Sequence, residues 1–207
     1  MAAVNPTLIY RPLWAGISIM CPATGAPGTL GCFARDVANK AWFITARHVL
    51  AANVPLAGQT IATHQPDDMR QPSPISSSAE WRLDASSEVI AAPLAAGIHF
   101  YSAAIGLGAW TGLESPSNGQ LVTKSGATTG VTLGRVENLR AGRFDVRHLV
   151  DLPDNYCTSS RGDSGAVWLD STTRAILGIH IGQRANGTAL AIRADIAFAE
   201  LHVSVAL

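Results

Sequence analysis

An all-β fold in two units is what this sequence predicts, and three observations carry it. Short apolar runs recur along the chain and are broken by Gly, Pro, Asn and Asp, the pattern of strands between turns. A polar stretch, GLESPSNG at 112–119, divides those runs into two sets, 1–111 and 120–207. The tail ADIAFAELHVSV places apolar residues at Ala194, Phe198 and Leu201, a spacing that suits one short terminal helix. No internal repeat is visible, but two similar β units suit a pair of barrels joined by the 112–119 linker.

Taken in order, WAGISIM, GTLGCFARD and AWFITA read as three strands of the first unit, with VANK turning the second into the third. The Pro- and Ser-rich HQPDDMRQPSPISSS reads as a surface loop, after which WRLDASSEVIAAPL resumes strand character. The segment 89–110 is long enough to span a bilayer, for which about 20 residues are needed. Its Pro93, His99, Ser102 and three glycines, set in much alanine, argue instead for buried strands and a crossing between the units. In the second unit QLVTKSG, TTGVTLGRVENL, GRFDVRHLV, GAVWLD, AILGIHIG and TALAIRA read as strands, and DSTTR joins two of them as a hairpin.

Bulk properties narrow the function classes. Lys+Arg and Asp+Glu are both 15 in 207 residues and no basic block is present, so the electrostatic footprint of a nucleic-acid binder is missing. Cys21, Cys32 and Cys157 are too scattered for a disulfide framework or a metal site; they read as small core residues with one optional pairing left open. KSGATTG lacks the Lys-Ser/Thr of a phosphate loop, so no cofactor is expected. The start MAAVNPTLIYRPLWAG has no basic region followed by an apolar one, which points to a cytoplasmic protein or a piece released from a larger precursor. Composition leaves the oligomeric state open.

The chemistry concentrates in CTSSRGDSGAVWLD, 157–170. Gly, Asp and Ser form turns, but a serine held between Gly-Asp and Gly ahead of an apolar strand also suits a nucleophile on a shaped turn. A serine hydroxyl needs an adjacent base. His48, at the end of the apolar run AWFITARHVL, is the strongest of the six histidines for that role; His64, His99, His148 and His202 have no partner pattern. The base in turn needs a carboxylate to fix its tautomer. Asp84, among small residues in RLDASSEV, suits this better than Asp67 or Asp68 in the polar loop. The N–H groups of Gly162 and Ser164 would form an oxyanion hole, worth roughly 3 kcal/mol per donor.

TARHV, LDAS and GDSGA, in the order His, Asp, Ser, resemble the trypsin/chymotrypsin-like serine proteases. With RPLWAGISI, GTLGCFARD and KSGATTGVTLGRV, the resemblance extends over most of the chain and leads to the bacterial trypsin-like branch. It implies two antiparallel six-stranded β-barrels with a short C-terminal helix, a polypeptide substrate in the cleft between them, and no role for nucleic acid or membrane. It carries His48 as general base, Asp84 as orienter, Ser164 as nucleophile and Gly162 as oxyanion donor. Val49 stands where many animal members have a cysteine after the histidine, and no Ile-Val-Gly-Gly activation sequence opens the chain. Asp163 is therefore expected to find a partner other than a new N-terminus.

In the same superfamily the base of the primary specificity pocket lies six residues before the serine, here Thr158, followed by Ser159. Neither is the carboxylate that a Lys/Arg preference requires. His180 in GIHIG, 178–182, with Gly182 beside it, resembles the corresponding segment of glutamyl endopeptidases. An imidazole and a hydroxyl can hydrogen-bond a carboxylate or an amide, so Glu before the scissile bond is expected, with Gln next. The alternative from another class is a catalytically silent protease-fold module that binds peptide without turnover.

Overall fold

The structure, a computed structural model, describes residues 5, 8–22, 24–51, 74–76, 80–149 and 158–207. Asp67, Asp68, His64, Cys157 and nearly all of the Pro/Ser-rich loop lie outside the described residues.

The N-terminal half contains β1 (Leu13–Ala15), β2 (Ser18–Met20), β3 (Pro27–Thr29), β4 (Cys32–Arg35), β5 (Ala41–Ala46), helix α1 (Arg47–Ala51), β6 (Arg82–Leu83), β7 (Val89–Pro93), β8 (Phe100–Ala104) and β9 (Gly108–Ala109). The segment 89–110 thus carries three strands, and no helix among the described residues is long and apolar enough to cross a membrane. Two of the apolar runs break in the middle. WAGISIM bends at Gly16 and GTLGCFARD at Gly31, so each supplies two strands. The breaks fall where the C-terminal half approaches: a Cβ on Gly16 would lie 2.7 Å from Ser125 Oγ, and one on Gly31 would collide with the Gly165 carbonyl. Bare backbone at these two points lets Ser125 of the second unit and the turn around Gly165 sit directly on the first unit.

The C-terminal half contains β10 (Leu121–Gly126), β11 (Gly130–Glu137), β12 (Arg143–Arg147), β13 (Val167–Asp170), β14 (Ile176–Gln183) and β15 (Ala189–Arg193). They close into an antiparallel barrel in the order β10-β11-β12-β15-β14-β13. Burial in β11 alternates with period two, sending Thr132, Gly134 and Val136 inward and Val131, Leu133 and Arg135 outward. Val122, Val136, Phe144, Val146, Trp168 and Leu177 fill the interior. Around the N-terminal core the ladders form a five-stranded sheet, in the order β16 (Ser204–Val205), β4, β5, β7 and β6, a three-stranded β1-β8-β9 and the pair β2-β3.

The last segment returns to the first unit. Helix α2 (Ala194–Glu200) places Ala194, Ala197 and Phe198 in the N-terminal core, and β16 (Ser204–Val205) pairs with β4. Arg82 fastens this return: its guanidinium donates to the carbonyls of Leu201 (3.2 Å) and His202 (2.9 Å), pairs with Asp36 (3.0 Å) and lies 4.3 Å from the Trp42 ring centroid. Cys21 and Cys32 are buried, and burial pushes the Cys32 thiol far up.

Candidate active site

Ser164 sits half-buried on a turn that the first unit holds in place. The Asp163 N–H donates to the Ser160 carbonyl (3.1 Å), which closes a turn with Gly162 at φ +102° in its third position. A side chain at 162 would be strained by that φ and would collide with Thr128 Oγ1. Gly165, at φ +99°, has no room for a Cβ either, since Thr45 Oγ1 and the Thr29 carbonyl press against it. Thr29 is the clamp between the halves: its N–H donates to the Ser164 carbonyl (2.7 Å) and its hydroxyl to the Gly162 carbonyl (2.8 Å). The N–H groups of Gly162 and Ser164 donate to no acceptor among the described residues.

Asp163 finds its partner inside the barrel. The Lys124 ammonium, on β10 and pointing into the barrel, lies 2.7 Å from Asp163 Oδ2, and both side chains are 0% exposed. The carboxylate also accepts the N–H groups of Thr128 and Thr129 at 3.0 Å, the Thr129 hydroxyl at 2.7 Å and the Ser160 N–H at 3.1 Å. Burial alone would raise the Asp163 carboxyl, but the Lys124 charge and these donors outweigh it and hold the group below the usual carboxylate range. Lys124 donates as well to Thr129 Oγ1 (2.9 Å) and stands 5.5 Å from the Trp168 ring centroid. No local pattern announced Lys124; the one signal was a lone cation in an apolar strand, LVTKSG.

His48 is delivered by β5, but not as the last residue of a strand. The strand ends at Ala46, and His48 is the second residue of the single turn α1, anchored by buried Val49 and Leu50. That turn packs against β3, where Gly28 has space for no side chain beside Val49. Because Thr45 of β5 touches Gly165, the elements carrying His48 and Ser164 meet directly. Burial lowers the His48 pKa, and the Glu88 carboxylate opposes that by raising it. The ring is therefore neutral at pH 7 and free to accept a proton.

The expected partnership of Asp84 with His48 is not the one the hydrogen bonds draw. Asp84 is buried, but Oδ1 accepts the N–H groups of Glu88 and Val89, both at 2.9 Å, and Oδ2 accepts the Ser86 hydroxyl. No hydrogen bond among the described residues joins it to His48. A short polar run, ASSE, folds back on Asp84 because its side chain offers a turn more acceptors than the backbone alone.

Of the residues expected to recognise substrate, Ser159 and His180 come together. The Ser159 hydroxyl and His180 Nε2 are 2.6 Å apart, and both side chains are buried with Thr158 beside them. His180 Nδ1 and Thr158 Oγ1 are buried without a hydrogen-bond partner among the described residues. Burial first, then the nearby Lys124 charge, push the His180 pKa down to about 3. Its ring meets Trp168 edge-on at 6.0 Å between centroids, and its backbone is bonded to the Ser164 turn through Gly165 N–H (2.7 Å) and Ala166 O (2.8 Å). Gly182 lies half-buried past a bulge that interrupts β14 after His180. No group of three or more His, Cys, Asp or Glu among the described residues is arranged to hold a metal.

Neither protein-family models nor curated proteins give a match to the chain. Solved structures do. A glutamic acid-specific serine protease that uses a histidine triad in substrate binding superposes with a TM-score of 0.66 at 18% identity, over 94% of this chain and 100% of that one. The Nocardiopsis protease NAPase follows at TM-score 0.65 and 14% identity, covering 94% and 98%. Cellulomonas bogoriensis chymotrypsin gives 0.59 at 16% identity, covering 93% and 97%. The fold is thus that of the bacterial chymotrypsin-like serine proteases, as the sequence motifs predicted.

Proposed function

We propose that the protein is a serine endopeptidase that works through an acyl-enzyme on Ser164, with His48 as general base. The Ser164 oxygen attacks the scissile carbonyl carbon while His48 takes the hydroxyl proton. The C–N bond then breaks as His48 returns that proton to the leaving amine. Water, deprotonated by His48, attacks the ester and frees Ser164. Negative charge on the carbonyl oxygen is received by the N–H groups of Gly162 and Ser164.

The observation that carries this reading is a pair of N–H groups without an acceptor among the described residues, on a turn whose shape is set by a fully buried ion pair. A silent peptide-binding module has no need for donors held open beside a serine. The clamp of Thr29 and the contact of Gly165 with Thr45 add that the serine turn is built onto the strand that leads to His48.

For the substrate, we propose a polypeptide with Glu, or next Gln, before the scissile bond, recognised by His180, Ser159 and Thr158. The structural similarity to a glutamic acid-specific protease supports this, as does the absence of a carboxylate at Thr158 and Ser159. His180 is neutral at pH 7, so holding a Glu carboxylate favours uptake of a proton by the ring, whereas a Gln carboxamide needs none. Digestion of a peptide library tests both points. Cleavage after Glu and Gln is expected, with the Glu-to-Gln ratio of kcat/KM rising as pH falls, and Ser164→Ala should abolish it. A preference for basic or large aromatic residues would overturn the specificity, and cleavage surviving in Ser164→Ala would overturn the mechanism.

A further inference from the structure

We propose that Glu88, not Asp84, is the acid that positions the His48 ring. The inference rests on the protease reading for its consequences, but its first observation is one of register. Strands β5 and β7 pair antiparallel with Thr45 opposite Ile90 and Ala46 opposite Val89. The ladder continues one step further, because the Arg47 N–H donates to the Glu88 carbonyl at 2.8 Å. Residue 88 is thereby fixed across from the residue that precedes His48. At that point the chain leaves the strand for α1, where successive side chains diverge by about 100° rather than the 180° of a strand. His48 is therefore not sent to the face opposite Glu88.

The second observation is what Asp84 does. Its Oδ1 holds the N–H groups of Glu88 and Val89, and its Oδ2 holds the Ser86 hydroxyl. The turn is closed further by Ser87 N–H on the Asp84 carbonyl (2.9 Å) and by Asp84 N–H on the Val89 carbonyl (3.2 Å). From outside, Glu200 of α2 accepts the Ala85 N–H (2.8 Å). Asp84 is spent on shaping the turn, and what the turn presents at its end is Glu88. Among the described residues, the charged and titratable groups on the elements around His48 are then Glu88, immediately before β7, Asp84 in the turn, the neighbouring Arg47 and His180 on β14. Of the two carboxylates, Glu88 is the one whose charge raises the affinity of His48 for a proton. The side chain of Glu88 is exposed.

The test reads His48 directly. In the Ser164→Ala protein, the imidazole titration of His48 is followed by NMR with and without Glu88→Gln, Glu88→Asp and Asp84→Asn. Glu88→Gln is expected to move the midpoint to lower pH, and Glu88→Asp to restore much of the loss. In the Ser164 enzyme, Glu88→Gln should lower kcat/KM by on the order of 10²-fold or more, with its acid limb displaced to lower pH. An unchanged midpoint in Glu88→Gln, or a larger fall in Asp84→Asn than in Glu88→Gln, would overturn the assignment. Should no variant turn over peptide, the protease reading fails while the titration still decides which acid faces the ring.

Discussion

The two sides of the cleft are built by opposite means. On the serine side the turn rests on a buried, fully bonded carboxylate: Asp163 accepts five donors, one of them the sealed Lys124 ammonium, and glycines at 162 and 165 leave no slack around the turn. On the histidine side the ring is half-buried, the Glu88 carboxylate that acts on it is exposed, and position is set by strand register and a single helical turn. The difference teaches where rigidity is needed. The oxyanion hole proposed for the Gly162 and Ser164 N–H groups would work only if they already point at the charge that forms, which a turn shaped before substrate arrives provides. A base must move a proton between oxygen, nitrogen and water, and a ring held on one side can do so.

Breaking the comparison at its stiffest point should cost most. Lys124→Met leaves the Asp163 charge buried and unpaired, and is expected to destabilise the fold by about 3–5 kcal/mol in urea unfolding. Lys124→Met with Asp163→Asn should recover part of that loss; a double variant as unstable as the single one would show that the pair is not the unit. Gly165→Ala comes next, at about 2–4 kcal/mol, since a Cβ there meets Thr45 and the Thr29 backbone at a φ of +99°. A loss under about 1 kcal/mol would mean that the two halves are not in hard contact at this turn.

Acid sharpens the same contrast. His180 titrates near 6.5 when unfolded and at about 3 when folded, so the unfolded state takes up the proton first. Stability should therefore fall as pH drops below 6.5, by about 2 kcal/mol at pH 5, and continue falling towards the folded value. The Asp163 contribution, from a lowered carboxyl, stays intact until pH falls below about 3.8 and does not confuse this window. His180→Asn should flatten the slope between pH 6.5 and 4, and equal slopes would refute the assignment. Least of all, Glu88→Gln on the exposed side should alter stability by no more than about 0.5 kcal/mol.

How much of this the sequence revealed follows the range of the interactions. The strands of the second barrel were legible because inward and outward positions alternate within each run, as in β11. The bends at Gly16 and Gly31 were not, because Ser125 and Gly165 demand them from another part of the chain. Ser164, Gly162 and His48 were legible as local motifs, and Ser159 and His180, far apart in the chain, do meet. Lys124 escaped because its partner lies 39 residues on and nothing in LVTKSG points to it. Two acids four residues apart, Asp84 and Glu88, cannot be told apart by composition; turn closure and strand register distinguish them.

The most direct test is labelling by a fluorophosphonate probe, read as the site and rate of serine modification. Stoichiometric attachment to Ser164 is expected in the native protein, with the rate falling by orders of magnitude in His48→Ala and attachment vanishing in Ser164→Ala. A folded protein whose Ser164 ignores the probe, or reacts as fast without His48, would contradict the pairing of these two residues.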